Sequence, residues 1–149
     1  MKRVLLVALA SAGLVGALPA AAQFAKPEEA IKYRQSTMSV LGAHFGRIGA
    51  MASGRAPFDG KAAAENADVV AYVSKLTFTG FVPGTEKGSK SKPEVWTEAD
   101  DFKKSATKMQ EEVVKLNAAA KAGDLAQIKA TFGAAAKTCK SCHDDFKVQ

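Results

Sequence analysis

Three features are scarce in this chain of 149 residues: cysteine, alternating runs of β-branched residues, and long apolar segments. The lack of alternating runs argues against a β-sheet fold. Beyond residue 22 no stretch is apolar enough to span a bilayer, so we expect no membrane span in the mature chain. The basic residues are scattered and not interleaved with aromatic residues, which argues against a nucleic-acid partner.

The first residues have the pattern of an export signal. Met1-Lys2-Arg3 is basic, Val4–Leu18 is apolar, and Ala20-Ala21-Ala22 provides small residues for cleavage. The apolar part is shorter than the roughly 20 residues of a spanning helix. We therefore predict a cleaved signal peptide over residues 1–22, a single domain over 23–149, and a periplasmic location. In that oxidising compartment the two cysteines are either bridged to each other or covalently occupied.

Four segments place apolar residues at helical spacing. The first begins at about Pro27, the second follows Asp59, the third starts at Thr97, and the fourth is capped by Asp124. The connections within the first pair and within the second pair are short, whereas Thr77–Val95 forms a long link between the pairs. This pattern predicts an all-α fold, an antiparallel up-down-up-down four-helix bundle.

Near the C-terminus stands Cys139-Lys140-Ser141-Cys142-His143, a C-x-x-C-H motif. This is the attachment signature of c-type haem, in which both thiols add to the macrocycle and the histidine binds iron. On a helix, positions i, i+3 and i+4 share one face, so Cys139, Cys142 and His143 can meet one buried group. We therefore predict one covalent haem c in the core of the bundle.

Other interpretations of the motif fit the chain less well. A thioredoxin-like redox pair needs a βαβ context, which the sequence lacks. A structural zinc site takes four ligands, and beyond the motif the chain has no further cysteine and only one further histidine, His44. A disulfide between Cys139 and Cys142 would close a very small loop and gain little stability.

The first helix carries unusual residues on its apolar seam. Arg34 occupies a position where an apolar residue is expected, and a cation there needs an anion. The haem propionates would supply one, so we predict that Arg34 and Gln35 hold them. The alternative is that the Arg34 side chain extends to solvent at the end of the bundle. Met38, one turn on, could ligate iron or could cover it as an apolar plug. His44 lies off this face, and we expect it at the periphery.

Four segments together resemble the cytochrome c′ family, the class II, four-helix-bundle branch of the c-type cytochromes. They are Tyr33-Arg34-Gln35-Ser36, Phe81–Glu86, Lys92–Trp96 and Cys139–His143. The resemblance spans residues 23–149. The motif position is specific, because globular mitochondrial-type cytochromes c carry theirs near the N-terminus.

The resemblance implies a role for each candidate site residue. Cys139 and Cys142 would form thioethers, and His143 would be the axial ligand of the haem iron. Arg34 and Gln35 would contact the propionates, and Lys90 and Ser91 would belong to a loop along the haem edge. The distal pocket would be lined by Met38, Leu41, Phe78 and Phe81. Lys147 would place a basic group beside the histidine.

The resemblance also implies five-coordinate, high-spin haem that binds NO and CO. The residues agree, because bound O₂ depends on hydrogen-bond donors that Met38, Leu41, Phe78 and Phe81 lack. The alternative is a low-spin electron carrier with His143 and Met38 as ligands. The seam near Met38 has no acid–base group for peroxidase chemistry, so we predict that the protein is not an enzyme.

Partners follow from the same resemblance. Besides the gases NO and CO, it implies a homodimer through the first two helices, and electron transfer would require redox partner proteins. Small residues on these helices could support a modest interface: Ala50, Ala52, Ala63, Ala67 and Val70.

Overall fold

Four long helices form the bundle. The computed structural model describes residues 23–148, so the predicted signal peptide over residues 1–22 lies outside the described residues. The helices in chain order are α1 (Pro27–Ala52), α2 (Gly60–Thr77), α3 (Glu94–Thr97), α4 (Ala99–Ala122) and α5 (Leu125–Phe146). The predicted all-α, antiparallel four-helix bundle is confirmed, with α3 as a single turn before α4.

The helices pack mainly against their neighbours in the chain. α1 lies on α2, α2 on α4, and α4 on α5, whereas α1 and α5 contact each other less extensively. The last residues of α2 lead into a 3-10 turn, Phe78–Gly80, which contacts both α1 and α2. The bundle is therefore least tightly packed between α1 and α5, on the side where this turn lies.

Aspartates start two of the helices as predicted. The Asp59 carboxylate accepts from Ala62 N at 3.0 Å. The Asp124 carboxylate accepts from Ala126 N at 2.9 Å and from Gln127 N at 3.1 Å. Such caps satisfy backbone N–H groups that have no partner within the helix, so they fix where α2 and α5 begin.

Thr97, predicted as the start of the third helix, instead ends α3. Glu98 leaves the helical region (φ −119°, ψ 45°), and α4 begins at Ala99. Trp96, in α3, faces the loop between α2 and α4, where its indole N–H donates to Val82 O at 3.2 Å. A tertiary hydrogen bond thus accompanies the break between α3 and α4.

The far end of the bundle is closely packed. Phe45 and Phe132 stack with ring centroids 4.3 Å apart. A Cβ added at Gly49 would lie 2.5 Å from the Phe132 ring, so only glycine lets the ring lie against α1 here. These contacts close the space between α1 and α5 below the site described next.

Four of the five small residues suggested for a dimer interface lie inside the protein instead, and the fifth, Ala50, is half-buried. Ala52, Ala63, Ala67 and Val70 are all at most 8% exposed and belong to the core. The expectation that they form an outer face is wrong, because α2 packs against both α1 and α4 and so buries this stripe. Within residues 23–148 no helix has both the length and the apolar character needed to cross a membrane.

Candidate functional site

A cavity of about 610 Å³ opens between α1, α5 and the α2–α4 loop. This volume is within the range of about 300–1,000 Å³ typical of cofactor and ligand sites. The cavity is lined by every candidate site residue: Arg34, Gln35, Met38, Leu41, Phe78, Phe81, Lys90, Ser91, Cys139, Cys142, His143 and Lys147. Residues far apart in the sequence are therefore brought to one place.

The α5 wall carries the reactive groups of the cavity. Cys139 and Cys142 are half-buried free thiols, and His143 follows on the same face. Burial raises the pKa of Cys139, and it raises the pKa of Cys142 to about 11 with a smaller rise from Cys139 and Asp145. Burial, followed by the charge of Lys147, lowers the pKa of His143. The imidazole is therefore biased toward its neutral form, which is the form that binds a metal.

The α1 wall opposite is apolar. Leu41 is buried, and Met38 and Phe45 are half-buried along the same face of the helix. None of these three side chains has an N–H or O–H group. These three side chains can therefore exclude water and fill space, and they offer no hydrogen bond to a small molecule beside them. The donors that α1 adds to the lining are those of Arg34, Gln35 and Ser39.

Aromatic rings close one end of the cavity. Phe102 of α4 is the centre of this cluster, with ring centroids 5.8 Å from Phe78, 4.9 Å from Phe81 and 5.2 Å from Phe146. Phe102 and Phe146 were not among the predicted site residues. Their position on the seams was the available signal, because residues on the inner face near one end of a bundle can line a cavity there.

Arg34 fixes the loop to α1. The buried guanidinium donates four hydrogen bonds, from Nη1 to Gly80 O (3.0 Å) and Thr85 Oγ1 (2.6 Å), and from Nη2 to Thr85 O (2.8 Å) and Ser89 Oγ (2.8 Å). Its carbon also lies 4.6 Å from the centroid of the Phe81 ring. All four terminal N–H groups are thus used within the protein, and Nε–H is the donor left for a ligand.

Close backbone approach explains why glycine stands at one of these contacts. A Cβ at Gly80 would lie 2.9 Å from both Ala30 O and Arg34 Cβ. The 3-10 turn therefore rests directly on α1, which lets the Gly80 carbonyl reach the guanidinium.

Gln35, Lys90, Ser91 and Lys147 line the more polar rim of the cavity. Gln35, Lys90 and Lys147 are exposed, and Ser91 faces Lys147 in an isolated antiparallel bridge. His44 does not line the cavity: its Nδ1 lies 2.8 Å from Asn66 Oδ1 on α2. The second histidine therefore belongs to the helix interface.

The residues present fit a haem. The cavity has two thiols three positions apart, one imidazole beside them, apolar walls and a polar rim. A flat, mostly apolar macrocycle with charged propionates needs this combination of apolar surface and polar edge. The thiols and the imidazole on α5 are the groups that would attach it and bind its iron.

Comparison with protein families matches residues 29–147 to the family described as Cytochrome C′. The cytochrome c′ of Rubrivivax gelatinosus is 54% identical over 127 residues, which cover 84% of this chain and 98% of that protein. Both the length of the match and the identity show a relationship over essentially the whole bundle.

Solved structures give the same result. The crystal structure of cytochrome c′ from Rubrivivax gelatinosus superposes with a TM-score of 0.83 at 53% identity, covering 85% of this chain and all of that one. A point variant of cytochrome c prime from Alcaligenes xylosoxidans, in complex with nitric oxide, has a TM-score of 0.81 at 42% identity. It covers 85% of this chain and 99% of its own.

Proposed function

This chain belongs to the cytochrome c′ family, which binds covalent haem c, and from that premise we propose that it binds NO and CO at a five-coordinate, high-spin haem iron. Bound haem would supply an iron centre that can take up a diatomic gas. The chain itself would contribute the attachment, one ligand, and the apolar residues of α1 that limit access to the iron.

The α5 wall would hold the group. In this proposal Cys139 and Cys142 form the thioethers and His143 binds the iron. Gln35 offers its side-chain amide to a propionate, and Arg34 offers its Nε–H, since its other N–H groups hold the loop. Lys90 and Ser91 would run along the haem edge, and Lys147 would place a positive charge beside the imidazole.

The apolar α1 wall is the observation that supports gas selectivity. Met38 and Leu41, together with Phe78 and Phe81, give a bound molecule no hydrogen-bond donor. Bound O₂ depends strongly on such donors, whereas NO and CO carry less charge when bound and tolerate an apolar site. The nitric oxide complexes of the Alcaligenes xylosoxidans protein also support NO as a ligand.

The same wall favours a binding protein over an enzyme. Peroxidase-type chemistry needs an acid–base group near the open coordination position. Among the described residues that line the cavity there is no aspartate or glutamate, and His143 stands on the opposite wall. We therefore propose that the protein is not an enzyme.

A second candidate is a low-spin electron carrier with His143 and Met38 as ligands. The observation behind it is that the Met38 side chain lines the same cavity as His143. A thioether is a usual second ligand in electron-carrying cytochromes, so the choice depends on whether the sulfur binds the iron or covers it.

Export to the periplasm, a homodimer and electron exchange with partner proteins also stay part of the proposal. The predicted signal peptide lies outside the described residues. The family resemblance is the support for a dimer, because four of the five small residues first considered for its interface are buried. Sedimentation of the purified protein measures its assembly state directly.

Carbon monoxide titration of the ferrous protein tests the proposed function. We expect the native protein to bind CO with a clear change in its absorption spectrum, because its iron is open. Met38→Ala should also bind CO, and faster, because a side chain that covers the site has been shortened. Val40→Ala is the matched control, since Val40 is on the same helix but 44% exposed. A native protein that ignores CO, together with a Met38→Ala variant that binds it, would contradict the open site.

A further inference from the structure

The α2–α4 loop pairs with the end of α5 just beyond the proposed iron ligand. Residues 90–92 run antiparallel to residues 146–148, and we refer to these six residues as the junction. Two backbone hydrogen bonds close it, Lys92 N to Phe146 O at 2.9 Å and Val148 N to Lys90 O at 2.8 Å. The end of α5 is therefore held by a segment of the loop that also lines the cavity.

The Lys92 side chain adds a charged contact to the junction. Its Nζ donates to Asp144 O at 2.8 Å and to Asp145 O at 3.0 Å. The last carbonyl groups of a helix have no partner within it, and a cation is favourable there because it also meets the negative end of the helix dipole. These two carbonyls belong to the residues that directly follow His143.

The loop that carries Lys92 is itself fixed at its other end. Arg34 donates to Ser89 Oγ at 2.8 Å, and the same oxygen accepts from Ser91 N at 3.2 Å. A continuous set of hydrogen bonds therefore runs from α1 through the loop to the junction. Lys92 therefore donates to the last turn of α5 from a loop that is itself held in place.

We propose that Lys92 is a positioning residue for His143. Its ammonium group holds the carbonyls of Asp144 and Asp145, and this restricts the turn from which the imidazole projects. The inference rests on the proposed ligation of iron by His143. It assigns to a lysine outside the C-x-x-C-H motif the task of limiting how far the imidazole can rotate.

Two measurements on the ferric haem-loaded protein test the inference. The first is proton NMR of the His143 ring, whose signals iron shifts in either spin state. The second is hydrogen exchange of the amides of Lys92, Lys147 and Val148, which donate hydrogen bonds at the junction. Lys92→Met removes the ammonium and keeps the stem, whereas Lys92→Arg keeps donors. Lys87→Met is the control, since Lys87 is exposed in the same loop and has no side-chain hydrogen bond within residues 23–148.

In Lys92→Met we expect the His143 ring signals to move or split, because the imidazole gains rotational freedom. The junction amides should exchange about tenfold faster, as two hydrogen bonds from a charged donor are lost. Lys92→Arg should return both readouts toward the native values, and Lys87→Met should leave both unchanged.

Native ring signals in Lys92→Met would overturn the inference, whether or not the junction amides exchange faster, because Lys92 would then support only the loop. If the His143 ring signals of the native protein show no shift from iron, then His143 does not bind the iron. In that case both the proposed ligation and this inference are wrong.

Discussion

The two walls of the cavity differ in what they can do. The α5 wall presents two thiols and an imidazole, which form bonds. The α1 wall presents Met38 and Leu41, which have no hydrogen-bond donor. In the proposed function this difference separates two roles: α5 would attach the haem and bind its iron, and α1 would limit what reaches the iron.

The walls also differ in how they are held in place. Cys139, Cys142 and His143 lie within five consecutive residues of one helix, so the helix alone sets their spacing. The α1 wall is fixed to the rest of the site through Arg34, whose partners lie 46 to 55 residues away in the chain. The positions of the thiols and the imidazole therefore depend on local structure, and the position of the α1 wall depends on the tertiary fold.

The largest effect should come from removing the thiols of the α5 wall. In the double variant Cys139→Ser with Cys142→Ser we expect complete loss of covalent haem, because no thioether can form. Haem-linked absorbance after denaturing electrophoresis measures this. Ser141→Ala, between the two cysteines, is the control and should keep its haem. Covalent haem in the double variant would show that attachment does not use these residues.

His143→Ala separates attachment from ligation on the same wall. Here the haem should stay covalently bound while the proton NMR and absorption spectra show loss of the axial imidazole. An absorption spectrum identical to that of the native protein would mean that another group binds the iron.

Arg34→Met should have the next largest effect, this time on the α1 side. Four hydrogen bonds from a buried charged group are lost, so we expect the free energy of unfolding to fall by roughly 3 kcal/mol or more. Arg34→Lys should not restore it, because an ammonium cannot replace the planar fork. Denaturant unfolding of the haem-loaded protein measures both.

Lys32→Met is the matched control for Arg34. Lys32 is an exposed basic residue on the same helix, and its loss should change stability by less than about 0.5 kcal/mol. Equal effects of the two substitutions would contradict the view that Arg34 fixes the loop.

The smallest effect concerns the place where the two walls meet. Gly49→Ala puts a Cβ against the Phe132 ring and should destabilise the protein by about 1–3 kcal/mol. Gly46→Ala, one turn away on α1, meets nothing within 4 Å and should stabilise by roughly 0.5–1 kcal/mol instead. Thermal unfolding compares the pair. Stabilisation by both substitutions would mean that the Phe132 ring moves aside at little cost.

Local features of this structure could be predicted from the sequence, whereas contacts between distant residues could not. The caps Asp59 and Asp124 and the C-x-x-C-H motif act within a few residues, and the cap geometry and the helical setting of the motif are as predicted. The bonds of Arg34 to Thr85 and Ser89 could not be predicted, because no local pattern pairs a helix residue with a loop more than fifty residues away.

Two errors have related causes. The stripe of small residues that includes Ala63 and Ala67 was assigned to an outer face, although both sides of α2 are covered by other helices. Thr97 was assigned to a helix start, but it ends α3, and the tertiary contact of Trp96 accompanies a break after it. In both cases the neighbours in space, which the sequence does not give, decided the outcome.

The spin state of the ferrous native protein tests the central claim most directly. Resonance Raman spectra distinguish five-coordinate, high-spin iron from six-coordinate, low-spin iron without any added gas. We expect five-coordinate, high-spin iron with His143 as its axial ligand, unchanged in Met38→Ala. A six-coordinate, low-spin native protein that becomes high-spin in Met38→Ala would show that the α1 wall binds the iron and does not merely cover it.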